Sequence, residues 1–492
     1  MGQEVESKVF TGADRHRHRQ KIRHCLDTFA SMLAERVFDF ERPHAGMELE
    51  LHLVDDESLP AMKNVEVLER IADPDYFTEL GRFNIEINVS PRQLLDRGLD
   101  RFESDVRASL NRAQSRAREA GANLVVIGLL PTLTEEHFDV TLITPSPRYH
   151  LMNEQILASR GEYLRLSIDG RERLDVQAES ILPEAACAST QFHLQVSPGE
   201  FADYWNAAQS LAGVQVALGA NSPFFLGRRL WAETRVAVFE QATDTRSEEL
   251  RVQGVRPRVW FGERWITSVF DLFEENVRYF PAILPICDDE DPLQVFESGG
   301  TPQLSELRLH NGTIWRWNRP IYDVVDGQPH LRVENRVLPS GPTIVDTLAN
   351  GALYYGAVTA LARADRPLWS RLSFSAAEAN FHAAARDGID ARIYWPGIGE
   401  VSVTELVLRT LLPLAVEGLD YWGVSSNERD RLLTVIERRC LAERNGATWQ
   451  SDTVDALEAG GMDRLEALRV MLSRYTQHMH TNEPVHTWPV ES

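Results

Sequence analysis

The chain has 492 residues, of which 43% are apolar, so it can bury a large folded core. Its 73 acidic and 51 basic residues give a net charge of −22, which argues against nucleic acid or an anionic membrane surface as the main partner. Four widely spaced cysteines exclude a disulfide scaffold and a CxxC metal site, and they indicate reduced thiols. Because there is no apolar leader and no apolar stretch of membrane-spanning length, we expect a cytoplasmic protein.

The chain begins with a predicted amphipathic helix over residues 13–40, and a predicted strand over residues 45–54 follows it. In this strand apolar residues alternate with Glu48, Glu50 and His52. A period of two sends the apolar set into a core and both carboxylates to the opposite face. A charged outer face is ordinary for a half-buried strand, so this strand alone does not predict a site.

Three later predicted strands, at 83–89, 190–196 and 330–337, repeat the arrangement. Their polar faces carry Asn84, Glu86, Asn88, Gln191, His193, Gln195, His330, Arg332, Glu334 and Arg336. The polar side chains on the faces of these strands are Glu, His, Asn, Gln and Arg, with no Lys, Ser or Thr. It is a poor composition for a merely solvated surface and is typical of a concave site for divalent metal and phosphate.

The chemistry of these side chains supports that interpretation. Mg²⁺ takes carboxylate oxygens and keeps waters or phosphates as further ligands, and an imidazole can fill one place. Arginine suits phosphate because its fork donates two parallel hydrogen bonds, and Arg336 lies two residues beyond Glu334 on the same face. The metal ligands predicted on this basis are Glu48, Glu50, Glu86, His193 and Glu334.

The remaining elements are predicted from apolar periodicity and turn residues. Helices are predicted at 96–121, 200–218, 344–362, 375–387, 404–417, 427–444 and 462–479, and a buried strand at 122–130. Hairpin turns are predicted at Asp169-Gly170 and at Asn311-Gly312, the second joining strands 306–310 and 313–319. Residues 343–492 are expected to form a helical layer packed on the sheet, because no linker separates them.

Several further side chains are weaker candidates. Arg148 and Tyr149 lie where a loop runs into a short helix, and a surface arginine explains Arg148 equally well. Arg235 follows a turn-rich loop and could clamp an anion or pair with Glu233 or Glu240. The residues of the second predicted hairpin that could meet a nucleotide or substrate are His310, Arg316 and Arg319.

Three motifs, GMELE at 46–50, HNGTIWRWNR at 310–319 and VENRV at 333–337, resemble glutamate-cysteine ligase family 2, the carboxylate-amine ligases. The resemblance covers roughly residues 40–400. It implies an α+β fold, similar to that of glutamine synthetase, in which a curved antiparallel β-sheet carries the active site and helices pack behind it. The predicted division of the chain is an N-terminal helix at 1–40, a catalytic domain at 41–400 that carries the resemblance, and a helical C-terminal extension at 401–492, which is longer than the family pattern.

The resemblance also implies roles for individual residues. Glu50 and Glu86 match ligands of one metal, while Glu48, His193 and Glu334 match ligands of a second metal beside the ATP phosphates. The catalytic pair is Glu334 and Arg336. Nucleotide-binding positions are Arg336, Arg316 and His310, and substrate-binding positions are Arg235, Arg148, Tyr149 and Gln191. ATP is the implied co-substrate and Mg²⁺, or Mn²⁺, the implied metal.

The function expected from this resemblance is ATP-dependent activation of the γ-carboxylate of glutamate, followed by amide formation with cysteine or another amine. Three alternatives stay open: a guanidino kinase, a metal-dependent amidase, and a catalytically silent protein that binds nucleotide or metal. The expected partners are amino acids and ATP. A homo-oligomer is compatible with the sequence, which specifies neither the number of chains nor the amine.

Overall fold

An antiparallel sheet organises the chain in the computed structural model, which describes residues 9–35, 37–38 and 43–490. The strands are β1 (Ala45–Val54), β2 (Tyr76–Thr78), β3 (Asn84–Arg92), β4 (Asn123–Val125), β5 (Leu164–Asp169), β6 (Arg173–Ala178), β7 (Ser189–Gln195), β8 (Phe224–Phe225), β9 (Arg228–Arg229), β10 (Val259–Trp260), β11 (Trp315–Arg316), β12 (Asn318–Val325), β13 (Gln328–Pro339), β14 (Arg392–Trp395) and β15 (Gly399–Ser402). The main sheet has the order β12-β13-β7-β1-β3-β2, and β4 also pairs with β1. The other strands form two-stranded sheets.

The helices cover one face of the main sheet and extend beyond it. They are α1 (Gly12–Ala34), α2 (Asn64–Ile71), α3 (Gly98–Glu119), α4 (Pro147–Arg160), α5 (Phe201–Gly219), α6 (Thr234–Ala242), α7 (Glu248–Val252), α8 (Val269–Tyr279), α9 (Pro292–Glu297), α10 (Ser305–Asn311), α11 (Ile344–Ala362), α12 (Phe374–Asp387), α13 (Val403–Leu406), α14 (Leu412–Tyr421), α15 (Ser426–Ala442), α16 (Gly446–Ala459) and α17 (Arg464–Thr481). Among the described helices, none combines the length and apolar character that a membrane crossing requires.

The core lies between the main sheet and two helices, α5 and α11. Both helices are almost wholly buried, because each has the sheet on one side and further helices on the other. A helix covered all round is expected to be apolar on every face. On the sheet side, the apolar residues of β1 are buried, as the period of two predicts.

The predicted α+β class is confirmed: an antiparallel sheet carries the polar faces and helices pack behind it. The predicted helices at 96–121, 200–218 and 344–362 correspond to α3, α5 and α11. Gly121 has φ of +68°, the left-handed conformation that glycine adopts readily after a helix end. The predicted Asp169-Gly170 turn joins β5 and β6, and the four cysteines are free thiols.

The prediction of a hairpin at Asn311-Gly312 is wrong. Residues 305–311 form α10, and the N–H of Gly312 donates to the carbonyl oxygen of Arg308 at the end of that helix. The local turn signal is overridden because the segment is buried on more than one helical face: Leu307 is buried with His310, and Glu306 with Leu309, each pair three residues apart. The true hairpin joins β12 and β13 through Asp326 and Gly327, both with positive φ.

Three other predicted elements differ from the structure. The strand expected at 122–130 pairs only as β4, and the helix expected at 404–417 is divided into α13, a π-helical turn and α14. The hairpin of β14 and β15 and the helix α16 were missed. Helix α1 ends at Ala34, and residues 36 and 39–42 lie outside the described residues. The proposed boundary at residue 400, between the catalytic domain and the C-terminal extension, stays a prediction, and it falls inside β15.

A buried ion pair fastens the C-terminal helices to α11. Nη2 of Arg439 in α15 lies 2.8 Å from Oδ1 of Asp346, and the two side chains are 1% and 0% exposed. Nη1 of Arg439 also donates to Oδ1 of Asn350, 2.5 Å away. Both members of the pair are therefore shielded from water. Removal of one partner of a buried ion pair lowers the free energy of unfolding, because it leaves the other charge buried and uncompensated.

We expect Arg439→Ala to lower the free energy of unfolding by about 3–5 kcal/mol, because it leaves the buried carboxylate of Asp346 without its cation. Denaturant unfolding measures this change. The neighbouring Arg438 is exposed, so Arg438→Ala is the matched control and should change the free energy by less than about 0.5 kcal/mol. Equal effects of the two substitutions would contradict the role given to the pair.

Candidate active site

Four adjacent strands bring the predicted metal ligands onto one face of the main sheet. Glu334 of β13 lies opposite His193 of β7, and Glu50 of β1 lies opposite Glu86 of β3. Glu48 of β1 lies two residues from Glu50 and therefore on the same face. The five predicted ligands thus form adjoining rows on β13, β7, β1 and β3.

At the β13 end of this face the carboxylate of Glu334 lies between two arginines. Its oxygens are 2.9 Å from Nη2 of Arg319 and 3.5 Å from Nη1 of Arg336, and the side chain is 2% exposed. Burial would raise the pKa of Glu334, but the two guanidinium groups together lower it to about 2. Glu334 is therefore ionised throughout the neutral range.

His193 links β13 to β1. Its Nε2 lies 3.2 Å from Oε1 of Glu48, and its Nδ1 accepts a hydrogen bond of 3.0 Å from Nε of Arg332. Burial raises the pKa of Glu48, but His193 outweighs it and holds this pKa below the usual range. Because Nδ1 accepts this hydrogen bond, a neutral ring carries its proton on Nε2. A metal ion can bind Nε2 only if the proton moves to Nδ1, and Arg332 must then give up its hydrogen bond to Nδ1.

At the β3 end, the carboxyl groups have fewer cationic partners. Glu50 accepts hydrogen bonds from the backbone N–H of Ser189 at 2.5 Å and from Nε2 of Gln191 at 2.9 Å. Burial together with Glu48 and Glu79 raises the pKa of Glu86 well above its usual range. Without a cation, Glu86 therefore holds a proton at neutral pH, which a metal ion bound at this end of the site would displace.

Sequence reasoning missed two carboxyl groups that face the same cluster. Glu79 follows directly after β2, and burial and the nearby Glu50 raise its pKa to about 7. Glu184 lies in a short 3₁₀ helix, and burial with Glu79 and Glu50 raises its pKa to about 8. Both are single carboxylates without alternation around them, so no pattern in the sequence could have found them.

The donor set fits Mg²⁺ in chemistry, although the side chains are turned to protein partners. Among the residues that the structure describes, no three His, Cys, Asp or Glu side chains converge closely enough to hold a metal ion as they stand. These side chains contact protein partners instead. Glu334 lies beside Arg319, Glu48 lies beside His193, and Glu50 accepts a hydrogen bond from Gln191. A cluster of buried carboxyls with one imidazole, in which neighbouring carboxyl groups raise the pKa of Glu86, is the arrangement that a divalent cation stabilises.

A model of glutamate-cysteine ligase family 2 matches residues 44–467 of the chain, a range that contains every residue of the cluster. The chain belongs to this family. No curated protein sequence is significantly similar to it.

Solved structures are similar to this family member in fold. A glutamate-cysteine ligase from Francisella tularensis, in complex with AMP, is 12% identical, with 92% of this chain and 91% of that chain covered and a TM-score of 0.54. A bifunctional glutathione synthetase from Pasteurella multocida is 10% identical, with 93% and 55% covered and a TM-score of 0.47. The complex of the prokaryotic ubiquitin-like protein Pup and its ligase PafA is 12% identical, with 86% and 70% covered and a TM-score of 0.37.

Two of the substrate-binding positions predicted from the family resemblance have structural partners at the edge of the cluster. The hydroxyl of Tyr149 donates to the carbonyl oxygen of Thr78 at 2.9 Å, which fastens α4 to β2. Gln191 supports the Glu50 carboxylate. The hydroxyl proton of Tyr149 and the Nε2 group of Gln191 are therefore used within the protein.

The two predicted substrate-binding arginines differ. Nε of Arg235 lies 2.8 Å from Oε1 of Glu233, and both side chains are buried, so the structural pairing considered from the sequence is present. Arg148 lies near enough to Glu79 to oppose the rise in the pKa of Glu79, and the buried Nε of Arg148 has no hydrogen-bond partner among the described residues. Of the two, Arg148 is the more available to a ligand.

The structure does not bring Arg316 and His310 to the cluster through any contact of the described residues. Nη2 of Arg316 lies 2.6 Å from Oε2 of Glu275, and its guanidinium lies over the ring of Trp260. His310 is on α10, where Nε2 lies 2.9 Å from the carbonyl oxygen of Asn276. Burial lowers the pKa of His310 to about 3, so it is a neutral core histidine. Both side chains contact other protein groups in this structure, and their assignment to nucleotide binding stays a prediction.

Proposed function

We propose that the protein is an ATP- and Mg²⁺-dependent carboxylate-amine ligase that activates the γ-carboxylate of glutamate and joins it to cysteine or another amine. The observation that carries the proposal is the row of Glu48, His193 and Glu334 beside Arg336, in a member of glutamate-cysteine ligase family 2. Further support comes from the fold, which a ligase crystallised with AMP shares.

We assign the residues of the cluster to two groups of ligands. Glu48, His193 and Glu334 would hold a metal on the phosphate side, and Glu50, Glu86 and Glu79 would hold one on the amino-acid side. Bound Mg²⁺, or Mn²⁺, would neutralise charge on the phosphates and on the reacting carboxylate. Arg319 keeps Glu334 oriented through their 2.9 Å contact. Arg148 is our candidate for the carboxylate of an amino acid.

The reaction proceeds in two displacements. A carboxylate oxygen of the acid attacks the γ-phosphorus of ATP, and ADP leaves with the electron pair of the broken P–O bond. The amine nitrogen then attacks the acyl carbon, and phosphate leaves as the amide forms and the nitrogen loses a proton to solvent. Arg336 faces the transferred phosphoryl, and its two parallel donors match the oxygens on which charge develops.

The test is to incubate purified protein with ATP, Mg²⁺ and glutamate, together with cysteine or a panel of other amines, and to follow ADP and product mass. We expect ADP and a γ-glutamyl product only when acid, amine and ATP are all present. ADP release that occurs only with another acid or amine would support the ligase class and rule out the proposed substrates. A phosphorylated guanidine as the stable product, or no ADP with any pairing, would overturn the proposal.

The surplus carboxyl groups predict how stability depends on pH and metal. Without metal, Glu79 and Glu184 bind protons more tightly in the folded protein than in the unfolded chain. Their stabilising contribution to the free energy of unfolding is therefore complete below their ordinary pKa of 4.5. It is lost as pH rises through about 7 for Glu79 and about 8 for Glu184. We expect the melting temperature in EDTA to fall between pH 5 and 8, and Mg²⁺ to raise it most at pH 8, because the cation competes with protons.

Thermal unfolding at each pH, with EDTA or with MgCl₂, measures this effect. Glu184→Gln should reduce the slope of melting temperature against pH in EDTA, because the amide does not titrate. Glu400, an exposed carboxylate of β15, gives the control variant Glu400→Gln, which should retain the full slope. A Mg²⁺ effect of equal size at pH 5 and pH 8 would contradict the prediction.

A further inference from the structure

A continuous set of buried hydrogen bonds joins the C-terminal helices to the strand that carries Glu50. We call it the Asn221 network, and its members are Asn221, Ser340, Gln450 and Tyr475. Asn221 follows α5, Ser340 follows β13, Gln450 is in α16 and Tyr475 is in α17. All four are buried, with exposed fractions of 0–1%.

Asn221 is the centre of the network. Its Nδ2 donates to Oη of Tyr475 at 2.8 Å and to the carbonyl oxygen of Ser340 at 2.7 Å. Its Oδ1 accepts from Nε2 of Gln450 at 2.8 Å, and the Tyr475 hydroxyl donates to the carbonyl oxygen of Val126 at 2.8 Å. Both amide protons of Asn221 are therefore used, one toward α17 and one toward the end of β13.

Ser340 carries the network to the active-site face. Its hydroxyl lies 2.6 Å from the carbonyl oxygen of Glu50 and 3.0 Å from that of Ser189. Ser189 is also the residue whose backbone N–H holds the Glu50 carboxylate. Ser340 thus contacts the main chain of Glu50 and the main chain of the residue that orients its side chain.

A second branch of the network reaches Arg336. The backbone N–H of Asn221 donates to Oε2 of Glu233 at 2.8 Å, and Glu233 pairs with Arg235. Nη2 of Arg235 then donates to the carbonyl oxygen of Val337 at 2.5 Å, next to Arg336 in the chain. Arg235, for which the sequence left open an anion clamp or a structural pairing, is therefore part of this network through its pairing with Glu233.

Little space is left around Asn221 and Tyr475 for another arrangement. A Cβ on Gly446 would lie 2.0 Å from Oδ1 of Asn221, and one on Gly341 would lie 2.9 Å from Oη of Tyr475. Real side chains do not approach so closely, so glycine is needed at both positions. Close packing of this kind transmits a displacement of α17 to the strands instead of absorbing it.

We propose that Tyr475 and Asn221 are positioning residues of the active site, through which the C-terminal helices hold Glu50 in place for metal binding. Tyr475 lies beyond residues 44–467, the range that the family model matches, so a segment outside that range takes part in the site. The inference rests on the proposed function in one respect, that Glu50 is a metal ligand.

The test compares Mn²⁺ binding to the full-length protein and to Tyr475→Phe, by electron paramagnetic resonance without ATP or amino acids. Phenylalanine keeps the ring but removes the hydroxyl. We expect the Mn²⁺ concentration for half-saturation to rise about tenfold, as for the loss of a group that orients a metal ligand. Tyr354→Phe is the matched control, because Tyr354 is buried on α11 and its hydroxyl has no hydrogen-bond partner in the part of the chain that the structure describes.

A double-mutant cycle separates positioning from simple loss of stability. If the effect of Tyr475 passes through Ser340, the combination of Tyr475→Phe and Ser340→Ala should weaken Mn²⁺ binding by less than the product of the single effects. Mn²⁺ affinity in Tyr475→Phe equal to that in Tyr354→Phe, even with a lowered melting temperature, would overturn the inference and leave the ligase proposal standing. Failure to form any amide product would overturn the ligase proposal while this binding measurement still decides the inference.

Discussion

Glu334→Gln should reduce kcat by about 10²–10³-fold, equivalent to about 2.7–4 kcal/mol of transition-state stabilisation. Glutamine keeps the size of the side chain but removes the charge that faces Arg319 and Arg336. The substitution removes a proposed metal ligand and also leaves two guanidinium groups without their shared carboxylate. Both changes act on the phosphoryl side of the site, so the loss should fall on turnover more than on the KM for glutamate.

Steady-state ADP release gives kcat and KM, and circular dichroism checks that the variant is folded. Asp326→Asn is the matched control, because Asp326 is an exposed carboxylate at the tip of the same hairpin. It should retain full activity. A folded Glu334→Gln protein with unchanged kcat would remove Glu334 from the mechanism.

For Arg336→Lys we expect a loss of kcat of similar size, about 10²-fold or more, with a smaller change in the KM for ATP. Lysine keeps the positive charge but offers no planar pair of donors, so the substitution tests geometry apart from charge. The ring of Phe239 lies 5.6 Å from the Arg336 guanidinium and limits where a shorter ammonium group can lie.

The same ADP assay measures this variant, with Arg228→Lys as its control, because Arg228 is an exposed arginine of β9. If Arg336→Lys kept the kcat of the unsubstituted protein, a point charge would be sufficient at this position. A rise in the KM for ATP at constant kcat would assign Arg336 to ground-state binding of the nucleotide.

The ligand-bearing strands were predictable because a period of two is a local property of the sequence. Glu48, Glu86, His193 and Glu334 each alternate with buried apolar neighbours, and antiparallel pairing then brings their faces together. The fold class followed from the family resemblance. Strand alternation predicts which face a side chain occupies, but it does not predict the partner of that side chain.

Many contacts of the predicted site residues are made with partners that are distant in the sequence, and local patterns could not predict them. The sequence suggested Glu233 as one partner of Arg235, but only the folded chain shows that both are buried together. Arg316 lies in a strand as expected, yet its partner Glu275 is on α8, 41 residues away along the chain. Glu79 and Glu184 enter the site from a strand end and a short 3₁₀ helix, where no periodicity exists to indicate a direction.

The surplus of carboxyl groups around Glu50 also bears on the sequence of binding events. Without a cation, Glu79, Glu86 and Glu184 hold protons at neutral pH and below, because burial and the neighbouring carboxyl groups raise their pKa values. On the proposed function, a cation that enters with ATP or ahead of it displaces these protons, so binding releases protons to solvent. When the cation leaves, the carboxyl groups take up protons again.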